Sequence, residues 1–429
     1  MESRRNDSYL DRYAARAQGM VPSEIRALFA VASRPEVVSL AGGMPYVSAL
    51  PLDLVGDMAA RLMSTRGADA LQYMSAQGDP GLREQICEVM ALEGIQASGD
   101  DIVVTVGSQQ ALDLVTRLFV DPGDVVLAEA PTYVGALGTF AAFQAEVVHV
   151  PLDAAGLVPE ALRETLARLK TQGRTPKFLY TVPNFQNPAG VTLAVRRRAE
   201  ILGICQTYDV LLVEDNAYGL LGFDSEPLRV LRADDAERVI YLGTFSKTIA
   251  PGLRVGWALA PPAIRAKLVL AAESAILSHS ALTQLLVREY LATQPWREQI
   301  KNFQELYRER RDAMLDSLEA LMPAGCTWNR PGGGFYVWLT LPEGLDSKAM
   351  APRAIANRVA YVPGTGFFAD GSGRDALRLS YCFPAPERIR EGVRRLAATV
   401  EHEITMLGTF GTTGTQASTG VDRPGSDLT

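Results

Sequence analysis

The 429-residue chain has few of the residues that build metal sites, disulfide frameworks and catalytic triads. Its four cysteines form no CxxC pair, and its three histidines show neither HxH nor HxxxH spacing, so no metal-ligating pattern is present. Free thiols in apolar helical patterns are the simplest interpretation of Cys87 and Cys205. No GxSxG motif marks a serine nucleophile. We therefore expect chemistry that uses neither a metal nor a Ser–His–Asp triad.

Positive charge and long apolar segments are scarce as well. A net charge of −7 and a pI near 5.3 disfavour a nucleic-acid partner, which usually requires a basic face. No apolar run reaches the length that spans a bilayer, and the N-terminal segment lacks the apolar core of a signal peptide. These features predict a cytoplasmic protein that binds neither nucleic acid nor membrane.

Lysine is also rare, with six among the 42 basic side chains. One of the six, Lys247, lies in a polar turn directly after an apolar, strand-like run, in the segment VIYLGTFSKTIAPGLRVGWALA (239–260). Taken alone, such a lysine is more often a solvated turn residue. Arginine stays protonated, however, whereas a partly buried lysine can lose its proton and act as an amine. The surroundings of Lys247 therefore decide between these two interpretations.

Short apolar strands alternate with helical patterns over roughly residues 100–260. The strand-like segments are DIVVTV (101–106), DVVLAEA (124–130), AEVVHVPL (145–152), KFLYTVP (177–183), DVLLVED (209–215), RVIYLGT (238–244) and GWALAP (256–261). Helical patterns such as SQQALDLVTRLFV lie between several of them. Continuous apolar strands separated by helices predict an α/β architecture with a mostly parallel sheet covered on both faces.

The length of the chain predicts two domains. We assign residues 1–44 to an N-terminal arm that belongs to the small domain, 45–300 to a large domain and 301–407 to a small C-terminal α+β domain. A long helical pattern at 294–323 connects the two domains. Residues 408–429 are rich in Gly, Ser and Thr and poor in large apolar residues, which predicts a disordered tail.

Polar residues follow the carboxyl ends of the predicted strands, where open α/β sheets bind ligands. They are Ser108, Gln109, Tyr133, Asn187, Asp215, Tyr218, Thr244, Ser246, Lys247 and Arg254. Each alone has an ordinary explanation as a helix cap, a packing residue or a turn residue. Together they offer a phosphate seat at a helix N-terminus, an aromatic face, a carboxylate, an amide and an amine. That set suits a phosphorylated planar aldehyde with a ring nitrogen, namely pyridoxal 5′-phosphate.

With these residues in place, the chain resembles a fold-type I pyridoxal-phosphate-dependent aminotransferase of class I/II, within the 2-aminoadipate/kynurenine aminotransferase-like subgroup. The motifs occur in family order over about residues 20–405, and they are LQYMSAQGDPGLREQI, VTVGSQQALDLV, EAPTYVGAL, VPNFQNPAGVTL, VEDNAYGLL, GTFSKTIAPGLRVGW, PGGGFYVWL and LRLSY. The resemblance implies a seven-stranded-type sheet between helices, and it makes residues 45–300 the cofactor-binding domain. Two motifs depart from the family: DDPYG reads DNAYG, with Asn216 and Ala217, and NPTG reads NPAG.

The resemblance also implies roles around the cofactor ring. Lys247 forms the covalent link to the cofactor and then shuttles the substrate proton. Asp215 pairs with the pyridine nitrogen, Tyr218 and Asn187 hold the 3-oxygen, and Tyr133 stacks on the ring.

The same resemblance implies contacts with the phosphate and the substrate. The phosphate is held by Ser108, Gln109, Thr244, Ser246 and Arg254. Tyr73 reaches the phosphate of a neighbouring subunit, which implies a homodimer. Arg378 grips the substrate α-carboxylate, with Asn187 and Gly43 also at the substrate, and Arg26 matches an arginine that some relatives use to bind a side-chain carboxylate. A solvated helix position is an equally good interpretation of Arg26.

The function that follows is transamination between an L-α-amino acid and a 2-oxo acid, with 2-oxoglutarate as the favoured acceptor and pyridoxamine phosphate as the carrier. An alternative is another reaction of the same cofactor, such as elimination, racemisation or cyclisation, because the motif around Lys247 is shared. A transcription regulator with this domain is a weaker alternative, since no basic helix-turn-helix pattern precedes the matching region.

Overall fold

The computed structural model describes residues 9–18 and 34–410; Arg26 and residues 411–429 of the predicted tail lie outside this part of the chain. Its helices are α1 (Ala15–Gln18), α2 (Leu52–Ala70), α3 (Pro80–Ala91), α4 (Ser108–Phe119), α5 (Val134–Ala142), α6 (Pro159–Thr171), α7 (Val195–Tyr208), α8 (Pro262–Ile276), α9 (Ala281–Thr293), α10 (Trp296–Leu321), α11 (Ser347–Ala356) and α12 (Pro386–Phe410). Its strands are β1 (Val38–Ser39), β2 (Ile102–Thr105), β3 (Val125–Ala130), β4 (Glu146–Asp153), β5 (Gly156–Leu157), β6 (Phe178–Thr181), β7 (Leu211–Asp215), β8 (Val239–Thr244), β9 (Gly256–Leu259), β10 (Thr327–Trp328), β11 (Tyr336–Thr340), β12 (Val359–Ala360), β13 (Val362–Pro363) and β14 (Ala376–Ser380).

The larger sheet has eight strands in the order β2-β9-β8-β7-β6-β3-β4-β5. Strands β3, β4, β6, β7 and β8 are parallel, whereas β9 is antiparallel to both β2 and β8. The predicted α/β fold with a mostly parallel sheet is therefore confirmed. The eighth strand, β5, is an antiparallel edge strand of two residues, too short to leave a recognisable pattern in the sequence.

The strands of this sheet are apolar on both sides because helices cover both faces. Along β7, Val213 packs in a cluster with Leu112 of α4, whereas the preceding Leu212 packs in a second cluster with Leu162 of α6 and Ile201 of α7. Each such buried aliphatic side chain contributes about 1.5–3 kcal/mol. The rigid sheet that results fixes the positions at which its strands end.

A four-stranded antiparallel sheet, ordered β10-β11-β14-β13, lies in the C-terminal part of the chain. Helices α10 and α12 pack against each other, and β1 pairs in parallel with β12 through Val38 and Val359. Helix α12 continues to Phe410, so the first three residues of the predicted tail, 408–410, are helical. Thr409 donates to the carbonyl oxygen of Thr405 at 2.8 Å, a bond within the helix that a polar composition does not prevent.

Within residues 9–18 and 34–410, no helix combines the length and the apolar character needed to cross a bilayer. Over the same ranges, no cluster of three or more His, Cys, Asp or Glu side chains is arranged to hold a metal ion.

Candidate active site

A cavity of about 270 Å³ lies at the carboxyl ends of β6, β7 and β8. Twelve of the fourteen residues singled out in the sequence line it: Gly43, Ser108, Gln109, Tyr133, Asn187, Asp215, Tyr218, Thr244, Ser246, Lys247, Arg254 and Arg378. Tyr73 does not line the cavity and is 74% exposed. Arg26 lies outside the described residues. Residues far apart in sequence thus meet at one edge of the large sheet, opposite β14 of the smaller sheet.

Lys247 lies in the turn after β8, and its partly buried side chain faces the cavity. Its Nζ donates to the backbone oxygen of Gly43 at 3.0 Å and lies 5.9 Å from the ring centre of Tyr218 and 5.6 Å from that of Phe335. Burial lowers the pKa of Lys247 to about 8, and the positive charge of Arg378 acts in the same direction. A lysine with such a pKa has a neutral, nucleophilic fraction near neutral pH.

Asp215 is the last residue of β7, and its side chain is buried in the cavity wall. Its Oδ2 accepts a hydrogen bond from the Tyr180 hydroxyl at 2.8 Å, whereas its buried Oδ1 has no partner. Burial raises the pKa of Asp215 to about 6, and the bond from Tyr180 and the charge of Lys247 oppose that rise. A buried carboxylate with one unsatisfied oxygen is expected to bind a protonated nitrogen.

Three further groups at the cavity are hydrogen-bond donors. The Tyr218 hydroxyl donates to the Tyr336 hydroxyl at 3.4 Å. Burial raises the pKa of Tyr133 to about 12 and that of Tyr218 well above its usual value, so both hydroxyls keep their protons. The Oδ1 of Asn187 accepts a bond from Arg378 at 2.8 Å, which leaves the amide nitrogen of Asn187 as the atom to meet a ligand.

The N-terminus of α4 lies beside Arg254 and forms a cradle for an anion. Gly107 precedes the helix with φ +75°, and a Cβ at this position would lie 2.6 Å from the Arg254 Nη2. Ser108 begins the helix, where backbone N–H groups have no partner within the helix. Thr244 and Ser246 complete the cradle, with their hydroxyl oxygens 2.9 Å apart and Ser246 Oγ 3.4 Å from Arg254 Nη1.

Arg378 places a positive charge on the opposite wall of the cavity. It lies in β14, is 1% exposed, and stacks over Tyr336 with 4.1 Å between its Cζ and the ring centre. Its Nη2 donates to the backbone oxygen of Ala41 at 2.7 Å, while its buried Nε has no partner. A buried guanidinium with a free donor is suited to binding a carboxylate.

Two functional residues were missed by sequence reasoning. Tyr180, which bonds Asp215, and Tyr336, which lies between Tyr218 and Arg378, both line the cavity. Tyr180 lies in the strand-like segment KFLYTVP and Tyr336 in the motif PGGGFYVWL, yet neither follows the carboxyl end of a predicted strand, and the only signal was a hydroxyl-bearing ring in a buried apolar strand. Gln109 also differs in detail from expectation: its amide nitrogen donates to Thr139 at 2.8 Å, so that side chain ties α4 to α5.

Comparison with known proteins identifies the family. Residues 40–396 match the family described as aminotransferase class I and II. The chain belongs to this family. It is 43% identical to aromatic-amino-acid aminotransferase 1 of Thermococcus litoralis, over 92% of this chain and 95% of that one. It is 38% identical to 2-aminoadipate transaminase of Thermus thermophilus, over 91% and 96% of the two chains.

Solved structures of aminotransferases have the same fold as this one. Kynurenine aminotransferase of Pyrococcus horikoshii, solved with pyridoxamine phosphate, superposes with a TM-score of 0.89 at 40% identity over 93% of this chain and 99% of that one. The α-aminoadipate aminotransferase LysN of Thermus thermophilus, solved with N-(5′-phosphopyridoxyl)-L-leucine, gives a TM-score of 0.86 at 37% identity over 93% and 100%.

The residues of this aminotransferase fit a pyridoxal-type cofactor. The unsatisfied Oδ1 of Asp215 matches a protonated ring nitrogen, and the cradle at Gly107, which a Cβ would fill, matches a phosphate. The amine of Lys247 lies in the same cavity with its pKa lowered to about 8 by burial. Each chemical group of the cofactor therefore has a complementary side chain or backbone group in the wall.

Proposed function

We propose that this chain catalyses pyridoxal-phosphate-dependent transfer of an amino group from an L-α-amino acid to a 2-oxo acid, in two half-reactions. The observation that carries the proposal is the presence, in one cavity, of a lysine amine of lowered pKa and a buried carboxylate with an unsatisfied oxygen. Transamination by this cofactor is the activity of the family to which the chain belongs.

When bound, the cofactor withdraws electrons from the substrate α-carbon, which makes the proton on that carbon removable. Asp215 Oδ1 keeps the ring nitrogen protonated, and Tyr180 keeps the carboxylate in place through its bond to Oδ2. Tyr218 and Asn187 donate to the 3-oxygen, and Tyr133 restrains the tilt of the ring. The cradle residues Ser108, Thr244, Ser246 and Arg254 hold the phosphate, together with the backbone N–H of Gln109, whose side chain is used in the bond to Thr139.

Lys247 has two tasks in this scheme. With the cofactor present, its neutral amine, which the lowered pKa favours, would hold the cofactor covalently. When Nζ is not bonded to the cofactor, it would accept the substrate α-proton and later return it. The Gly43 carbonyl, 3.0 Å from Nζ, orients the amine between these events.

Arg378 binds the substrate α-carboxylate, because its guanidinium is buried and retains a donor without a partner. Donors are proposed from the relatives: aromatic amino acids and 2-aminoadipate are the substrates named for two of them. We propose 2-oxoglutarate as the acceptor. Whether Arg26 binds a side-chain carboxylate remains a prediction from the sequence.

The proposal includes a homodimer in which Tyr73 reaches the phosphate of the second subunit. Two exposed apolar side chains support it, since Leu71 is 73% exposed and Tyr73 74% exposed, and neighbouring apolar surface of this kind favours a protein partner. The residue limits proposed for the large and small domains, and the cytoplasmic location, also stay proposals from the sequence.

A single-turnover experiment tests the function against elimination, racemisation or cyclisation. The purified, cofactor-loaded enzyme is mixed with each of about twenty amino acids in the absence of any 2-oxo acid. Transamination predicts one equivalent of 2-oxo acid per cofactor, conversion of the cofactor band to that of its amine form, and then no further reaction. Continued product formation without an acceptor would contradict transamination and favour the alternatives.

A further inference from the structure

A chain of buried polar side chains lies outside the cavity wall and joins two of the turns that carry site residues. Its members are Glu93, Asn184, Arg198, Asn216 and Tyr241, and the most exposed of them is 6% exposed. Buried polar groups of this kind cost free energy unless they are hydrogen-bonded, and here the bonds run continuously from one turn to the other.

Asn216 is the centre of this chain. It follows Asp215 directly, at the start of the turn that carries Tyr218. Its Nδ2 donates to Glu93 Oε1 at 2.6 Å, and its Oδ1 accepts a bond from Asn184 Nδ2 at 2.8 Å. Asn184 begins the turn that carries Asn187. The amide–amide bond between Asn216 and Asn184 therefore links the two turns that hold Tyr218 and Asn187.

Both ends of this link are anchored to rigid elements. Glu93 Oε2 accepts a bond from the Tyr241 hydroxyl of β8 at 2.9 Å, so each of its carboxylate oxygens has a neutral donor. Asn184 Oδ1 accepts a bond from Arg198 of α7 at 2.6 Å. Gly219 packs on the link so closely that a Cβ there would lie 1.9 Å from Glu93 Oε1. This turn thus has very little room to move.

We propose that Asn216, fixed by Glu93 and tied to Asn184, is a positioning residue that sets the distance between Tyr218 and Asn187, the pair assigned to the 3-oxygen of the cofactor. The inference rests on the proposed function, because it concerns the same cofactor. Tyr218 and Asn187 can donate to one oxygen together only if the two turns keep a fixed separation, and hydrogen bonds lose strength steeply when length or angle departs from the optimum. The Asn216–Asn184 bond sets that separation.

The test uses the absorption of the bound cofactor, which changes with the protonation of groups at the 3-oxygen. Donors stabilise negative charge on that oxygen, so weaker donation makes the oxygen retain the neighbouring proton to higher pH. In Asn216→Leu and in Glu93→Ala we expect the pH midpoint of the absorption change in the holoenzyme to rise by about 1 unit, as for one charge-assisted hydrogen bond lost. Glu93→Gln, whose amide oxygen still accepts from Asn216, should keep a midpoint close to that of the parent enzyme.

Glu214→Gln is the matched control, because Glu214 is an equally buried carboxylate in β7 that bonds only the backbone N–H groups of Leu231 and Arg232. The substitution Glu214→Gln is expected to lower the thermal stability of the protein without moving the pH midpoint of the absorption change. An unchanged midpoint in Asn216→Leu, or in Glu93→Ala if the former does not fold, would overturn the positioning role, as would an equal rise in Glu214→Gln. Failure of the proposed function would look different: a parent enzyme that binds no cofactor would show no cofactor band, and one that catalyses another reaction of the cofactor would form product continuously without an acceptor.

Discussion

Replacing Glu93 with glutamine tests the electrostatics of the buried polar chain. Burial raises the pKa of Glu93 from its ordinary value of 4.5 to about 7, although the bonds from Asn216 and Tyr241 oppose the rise. The folded protein therefore retains this proton at pH values at which the unfolded chain has released it. Glutamine has nearly the same shape as glutamate but does not titrate. The substitution therefore removes the contribution of this proton to stability and keeps the packing.

Proton linkage gives the direction in which this substitution changes the pH dependence of the free energy of unfolding. A carboxyl group whose pKa is raised by folding stabilises the protein below its unfolded pKa, and that contribution is lost as the pH rises through the folded pKa. For Glu93 the window extends from about pH 4.5 to about pH 7. A shift of this size corresponds to roughly 2–3 kcal/mol between pH 5 and pH 8.5. The free energy of unfolding of Glu93→Gln should therefore rise relative to the parent enzyme by about that amount over this range.

Urea unfolding at saturating cofactor, followed by intrinsic fluorescence at pH 5 and pH 8.5, measures the difference. Subtracting the parent curve removes the contributions of the buried titrating groups that both proteins contain, such as Asp215, Glu214 and Lys247. Glu88→Gln, at an exposed position of α3, the helix that ends shortly before Glu93, is the control and should show a constant difference. A constant difference for Glu93→Gln as well, or one that falls with pH, would refute the reasoning.

Three further substitutions test the site itself. Tyr180→Phe removes the 2.8 Å hydrogen bond to Asp215 Oδ2, and equilibrium dialysis should show cofactor affinity lower by about tenfold or more; equal affinity would remove Tyr180 from the site. Gly107→Ala places a Cβ 2.6 Å from Arg254 Nη2 at a position with φ +75°, so the cofactor should dissociate faster; an unchanged rate would argue against the cradle. Arg378→Ala should raise KM about a hundredfold for every amino acid tested, as expected for a lost buried charge pair; an effect on only one class of side chain would contradict its role at the α-carboxylate.

The side chains at the strand ends could be predicted from the sequence, because residue type and position relative to a strand are enough to place them at the ligand-binding edge of the sheet. Lys247, Asp215 and Arg254 follow or end buried apolar strands, and in an open α/β sheet such positions meet at one edge. The same pattern predicted the fold, since continuous apolar strands require helices on both faces. In the structure all three side chains line one cavity.

The residues that support those groups were not predictable in the same way. Tyr336 meets Tyr218 across 118 positions of sequence, and Glu93 meets Tyr241 across 148, so their partners depend on how distant segments pack. The presence of a single buried tyrosine or glutamate in the sequence does not indicate which neighbour it hydrogen-bonds. Asn216 was visible in the sequence as a departure from the family pattern, but its link to Asn184 required the folded structure.

The central claim is that Lys247 is the residue that binds the cofactor. Borohydride reduction of the purified holoenzyme, followed by proteolysis and mass spectrometry, tests it most directly. We expect the reduced cofactor on the peptide that contains Lys247, and we expect Lys247→Ala to fix none. The control Lys177→Ala, at a half-buried lysine that does not line the cavity, should fix the cofactor normally. Reduced cofactor on any of the other five lysines, or its retention in Lys247→Ala, would contradict the account.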